Sequence, residues 1–118
     1  MRVSKNLVNP HLEKELANTL HQAIADLKNP EEVVQFLRAF LSDAEYITLV
    51  KRVAVAYWLD QGRSYENIGE NLKVSSATIA AMQQSMGADG VQKTLGKIKA
   101  EEWANAWSQK IQKFVKGA

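Results

Sequence analysis

The residues most suited to contact chemistry lie close together. Ser75, Ser76 and Thr78 surround Ala77. Small side chains permit close approach to another surface, and hydroxyls hydrogen-bond phosphate oxygens or base edges. Ala80 and Gln83 follow, with Gln84 beside them. A glutamine amide can bond an adenine edge, and it is equally at home as solvated surface. Upstream stand Arg63, Ser64 and Lys73, types that hold phosphates.

Other chemistry finds little to work with. There is no Cys, which excludes disulfide frameworks, thiol catalysis and Cys-based zinc sites. His11 and His21 stand ten residues apart, not at the i,i+4 spacing of a metal pair, and read as surface or helix-end groups. No Ser-His-Asp order in a recognisable context, no phosphate loop and no carboxylate pair in a Gly-rich cleft is present. Neither enzymatic activity nor a metal or cofactor is expected.

The elements that position these residues are helices. Asn9-Pro10 opens the first, with an N-cap and a proline suited to the first turn. Leu12, Leu16, Leu20, Ile24 and Leu27 follow at helical spacing. Asn29-Pro30-Glu31-Glu32 starts a second helix, rich in Val33, Val34, Phe36, Leu37, Phe40 and Leu41. Ser42-Asp43-Ala44-Glu45 reads as a capping box for a third, which Gly62 ends. That helix is apolar on more than one side, the pattern of a helix buried on both sides within a domain or an oligomer.

Residues 64–86, SYENIGENLKVSSATIAAMQQSM, then give two short helices around a tight turn at Lys73-Val74. Ile68, Leu72, Val74 and Ile79 occupy the buried positions of a helix-turn-helix, and Gly69 allows a close crossing. In such a unit the second helix enters the major groove with its N-terminal residues against base edges. An ordinary helical hairpin has the same periodicity. Gly87 and Gly90 break the chain before a last helix from about Val91 to Val115, striped by Val91, Leu95, Ile98, Trp103, Trp107, Ile111 and Phe114. Trp103 and Trp107 share a face and read as core or dimer packing rather than base-stacking groups.

Length and charge bound the reading further. A chain of 118 residues, 46% apolar and 24% charged, suits one globular domain over residues 1–118. Its net charge of +2 does not by itself announce nucleic-acid binding. The distribution is uneven: residues 91–118 hold 6 Lys against 2 Glu, whereas residues 1–50 hold 5 basic and 7 acidic groups. The basic tail fits either a solvated helix face or a surface for phosphate or an acidic partner. No run is long and apolar enough for a membrane span, and no secretory leader opens the sequence, so a cytoplasmic protein is expected.

The run LSDAEYITLVKRVAVAYWLDQGRSYENIGENLKVSSATIAAMQQSM resembles the DNA-binding half of the Trp repressor family, in particular its Trp repressor-related YerC/YecD-like branch. The likeness rests on Ser42-Asp43-Ala44-Glu45, Leu49 with Lys51-Arg52-Val53, Gly62, Ser64, Ile68 and Ala77-Thr78-Ile79. It covers roughly residues 37–95, and the N-terminal 30 residues match only in being helical. It implies an all-α fold of about six helices and an intertwined two-fold dimer whose N-terminal helices share one core. It implies a sequence-specific transcription factor, a homodimer bound to double-stranded DNA.

Departures from the family pattern limit what carries over. Members that respond to tryptophan hold it between two arginines. Arg52 corresponds to one, but Ala81 stands at the place of the other and Met82 at the place of a small glycine. Tight tryptophan binding is therefore not expected, since the ligand loses a cation and meets a larger side chain. Glu66 aligns with a DNA-contacting arginine, and Lys73 with the glycine usual in the turn. Lys73 is strained if that position needs φ > 0.

Three points stay open. Arg52 either pairs with Glu45 or another acid, or contacts a small anionic effector of unidentified chemistry. Asp43, Glu45, Glu66 and Glu70 are expected to face solvent or to pair with Lys51, Arg63 or Lys73. The second helix of the pair has no Arg or Lys, which also fits a helical protein-interaction module that has lost specific DNA binding.

Overall fold

The computed structural model describes residues 8–117, and the side chains of residues 8–105. Six helices follow in order: α1 (Pro10–Ala25), α2 (Pro30–Phe40), α3 (Asp43–Asp60), α4 (Tyr65–Leu72), α5 (Ser76–Ser85) and α6 (Asp89–Gly117). No strand occurs among the described residues. The fold is all-α. The chain forms two compact units, one ending at Tyr46 and the next starting at Ile47.

In the first unit, local capping sets the helix starts. Asn9 Oδ1 accepts from the N–H of His11 at 2.9 Å, and Asn29 Oδ1 from that of Glu32 at 2.9 Å. Each is followed by proline in the first turn, where its missing N–H costs nothing. At the head of α3 the capping box closes both ways. The Glu45 N–H donates to Ser42 Oγ at 3.1 Å, and the Ser42 N–H to Glu45 Oε1 at 2.8 Å. Those bonds hold the Glu45 carboxyl below the usual glutamate range. Arg38 lies 3.8 Å from Asp43 and 3.9 Å from the centre of the Tyr46 ring.

α1 and α2 leave much of their apolar surface open in a single chain. Leu12, Leu16, Leu20 and Ile24, one stripe of α1, are each about half exposed, and Phe40 is 76% exposed. On α3, Ile47, Leu49, Val50 and Val53 are exposed too. The two-sided apolar character of α3 is thus answered on one side only, by Val55 and Ala56.

The second unit holds the core of the helix-turn-helix. Val55, Ile68 and Ile79 are buried, with Trp58, Leu59, Leu72, Val74 and Met82 packed around them. Full burial of each aliphatic side chain is worth about 2 kcal/mol. Leu95 of α6 is also buried. Tyr57 donates a hydrogen bond to Glu102, and Lys99 Nζ lies 2.5 Å from Asp60, so two polar links tie α6 to α3.

One expectation needs correction. Gly90 does not break the chain: α6 starts at Asp89 and takes Gly90 into its first turn. An acidic residue at a helix start interacts favourably with the dipole and offsets a glycine there. Trp103 is 66% exposed, which excludes the core alternative for the single chain and leaves the dimer-packing one. Trp107, Ile111 and Phe114, with Lys110 and Lys113, have side chains outside the described residues.

Candidate nucleic-acid interface

The entrance to the helix-turn-helix is fixed by the end of α3. Gly62 takes φ +83°, a left-handed conformation that glycine adopts without strain. Its N–H donates to the Leu59 carbonyl at 3.0 Å, and the Arg63 N–H to the Trp58 carbonyl at 3.1 Å. This is the paired bonding of a Schellman stop. The same turn brings the Arg63 guanidinium 3.9 Å from the Trp58 ring centre. Arg63 Nη1 also donates to Asn67 Oδ1 at 3.3 Å.

Ser64 caps α4, its Oγ accepting from the Asn67 N–H at 3.1 Å. α4 ends at Lys73, which sits in the left-handed region at φ 55°, ψ 51°. This meets the strain condition stated from the sequence: a lysine stands where glycine would be relaxed. Its carbonyl accepts from Lys51 Nζ at 3.2 Å, which steadies the turn from α3. A Cβ on Gly69 would lie 3.3 Å from the Val74 carbonyl oxygen, so the close crossing read from that glycine is present.

Ser75 then caps α5, its Oγ accepting from the Thr78 N–H at 3.1 Å. The two hydroxyls also bond each other, Oγ to Oγ1 at 3.0 Å. Thr78 is half-buried and lines a cleft with Arg52, Ala77, Ala81, Met82, Ser85 and Val91. Ser76, Ala77, Ala81, Gln83 and Gln84 are exposed, and Ala80 is half-buried. Ile79 and Met82 face the core. At about 3.6 residues per turn, the side of α5 opposite them is Ala77, Ala80, Ala81 and Gln84. Gln84 was not singled out as a site residue. The burial of Ile79 and Met82 fixes the helix phase and brings it forward, two turns beyond Ala77.

Arg52 stands at a second, apolar cleft of 230 Å³ with Val53, Ala56, Met82, Gly90, Val91, Thr94 and Leu95. Among the described residues it makes no ion pair. The Glu45 carboxylate instead accepts from the Ser42 N–H within its own capping box. Asp43 faces solvent, as one of the two readings expected, with Arg38 3.8 Å away. Glu66 and Glu70 are exposed. Lys51 and Arg63 are engaged by a carbonyl and a ring rather than by carboxylates.

A family model described as "Trp repressor protein" matches residues 15–98, from within α1 to the first half of α6. The chain belongs to the Trp repressor family. Members of this family are DNA-binding regulators rather than enzymes. The match reaches further toward the N-terminus than the motifs at residues 37–95, so α1 resembles the family in more than being helical. No curated protein and no solved structure matches the chain. No helix among the described residues is long and apolar enough to cross a membrane, and no cluster of metal-ligating side chains is found among them.

Proposed function

We propose that this chain is a sequence-specific transcriptional regulator that binds double-stranded DNA as a homodimer and does not respond to tryptophan. The observation that carries the DNA reading is the outward side of α5. It is small and uncharged on a helix-turn-helix whose inner side is closed by Ile68 and Ile79. Ser76, Ala77, Ala80 and Gln83, with Gln84, approach the major groove, while Ser75 and Thr78 hold the helix start that leads them there. Arg63, Lys73 and the α4 start at Ser64 meet phosphates, and Lys51 adds a cation beside the turn.

The dimer is supported by the exposed stripe of α1, by Phe40, and by Ile47, Leu49, Val50 and Val53 on α3. Monomers rarely leave this many large apolar side chains open, and a two-fold copy offers the same side chains in return. Within the family we assign the chain to the YerC/YecD-like branch, and the dimer to the intertwined type. Tryptophan independence rests on the cleft at Arg52. Its α5 side is Ala77, Thr78, Ala81, Met82 and Ser85, with no second cation for a carboxylate. Arg52 is left to accept the anionic group of some other small effector.

One observation favours a second reading. α5 has no Lys or Arg, and Glu66 and Glu70 stand exposed on α4. A protein-interaction module needs no cations there. The Thr78→Glu variant separates the two. It puts a carboxylate at the third helical position after Ser75, which extends the Ser75 cap into a capping box and keeps α5 folded. The DNA reading predicts lost duplex binding with the dimer and helicity intact. Duplex binding equal to wild type contradicts it.

A further inference from the structure

Base recognition depends on which donors and acceptors a helix offers, and α5 offers a short list. Guanine is read chiefly by Arg or Lys on O6 and N7, and cytosine by a carboxylate on N4. Between Ser75 and Met86 there is no Arg, Lys, Asp or Glu. The hydroxyls of Ser75 and Thr78 are bonded to each other, and the Ser75 oxygen also accepts from the Thr78 N–H. The side opposite Ile79 and Met82 carries the methyl groups of Ala77, Ala80 and Ala81 and the amide of Gln84, with the Ser76 hydroxyl and the Gln83 amide at its flank. A methyl surface packs against the C5-methyl of thymine, and a glutamine amide pairs bidentately with adenine N6 and N7.

We infer that each half-site is A·T-rich where α5 lies, with thymine methyls packed on Ala77, Ala80 and Ala81 and an adenine edge held by Gln84. This rests on the DNA-binding reading above and names the base pairs it selects. Gln84 is then a specificity-determining residue. The discrimination is built from apolar contact and amide hydrogen bonding rather than from charge. Non-specific attraction stays weak, since few cations meet the backbone, and selectivity comes from shape and methyl placement.

The test uses the 118-residue chain and duplexes enriched by it from a random pool at low salt. Uracil then replaces thymine, one position at a time, which removes the C5-methyl and nothing else. 7-Deaza-adenine replaces adenine, which removes the N7 acceptor. The inference expects A·T-rich half-sites and about a fourfold loss of affinity per contacted thymine methyl, the factor set by about 0.8 kcal/mol of lost apolar burial. It expects about a tenfold loss at one 7-deaza-adenine, a loss that disappears in Gln84→Ala. Enriched half-sites rich in G·C under α5, or indifference to uracil at every position, overturns the inference and leaves DNA binding standing. No enrichment by a folded protein overturns the DNA-binding reading itself.

Discussion

The Arg63 guanidinium lies over the Trp58 indole, 3.9 Å from the ring centre. The two residues are also linked through the backbone, since the Arg63 N–H closes the end of α3 on the Trp58 carbonyl. A helix stop and a cation–π contact therefore hold the same arginine at the entrance to the helix-turn-helix. A cation restrained by its neighbours loses less freedom when it meets a phosphate.

Arg63→Ala is expected to act on stability and on DNA affinity separately. Loss of an exposed cation–π contact costs about 0.5–1 kcal/mol, read as a lower denaturant midpoint. Loss of one phosphate contact makes the slope of log affinity against log salt shallower by about 0.9 for each contact removed. A lower midpoint with an unchanged slope would mean that Arg63 is structural alone.

Lys73→Gly is expected to stabilise the chain by about 0.5–1 kcal/mol. The left-handed conformation costs a side chain about 1–2 kcal/mol, and the extra freedom of glycine in the unfolded chain returns part of it. Chemical denaturation checks the gain. DNA affinity should fall at the same time if Lys73 holds a phosphate, so stability and binding move in opposite directions.

Glu45 predicts an acid-sensitive start to α3. Its carboxyl is held below the ordinary value by the Ser42 N–H and hydroxyl. A depressed folded value means that the contribution is present above the unfolded glutamate pKa. It is lost as pH falls through the folded one. Helicity followed by circular dichroism should therefore decline with acid more steeply in wild type than in Glu45→Ala, which lacks the contribution at every pH. Parallel acid profiles would contradict this.

Saturating L-tryptophan should leave the melting temperature unchanged. A ligand bound at a hundredfold excess over its Kd adds about 2.7 kcal/mol to stability, which a thermal scan reads easily. An upward shift would mean that Arg52 suffices without a second arginine from α5.

Helix starts were legible because capping is local chemistry. Asn9-Pro10, Asn29-Pro30, Ser42 with Glu45, Ser64 and Ser75 each cap the helix that their sequence suggests. The inner residues of the helix-turn-helix were legible from spacing, and Ile68 and Ile79 are buried. Contacts that depend on how helices cross were not. Nothing local links Lys51 to the Lys73 carbonyl, and nothing in the order of residues puts Arg63 on Trp58. Gln83 and Gln84 are both legible as amides able to bond adenine, and only the burial of Ile79 and Met82, which sets the rotation of α5, turns Gln84 rather than Gln83 to the side opposite the core. Gly90 misled because glycine marks breaks and helix starts alike.

The central claim is that this chain is a dimeric reader of DNA sequence. Selection from a random duplex pool, with and without L-tryptophan, tests it most directly. The account predicts an enriched palindrome with half-sites about one helical turn apart, recovered equally in both conditions. Failure of a folded, dimeric protein to enrich any sequence at low salt would contradict it, as would a palindrome recovered only with tryptophan.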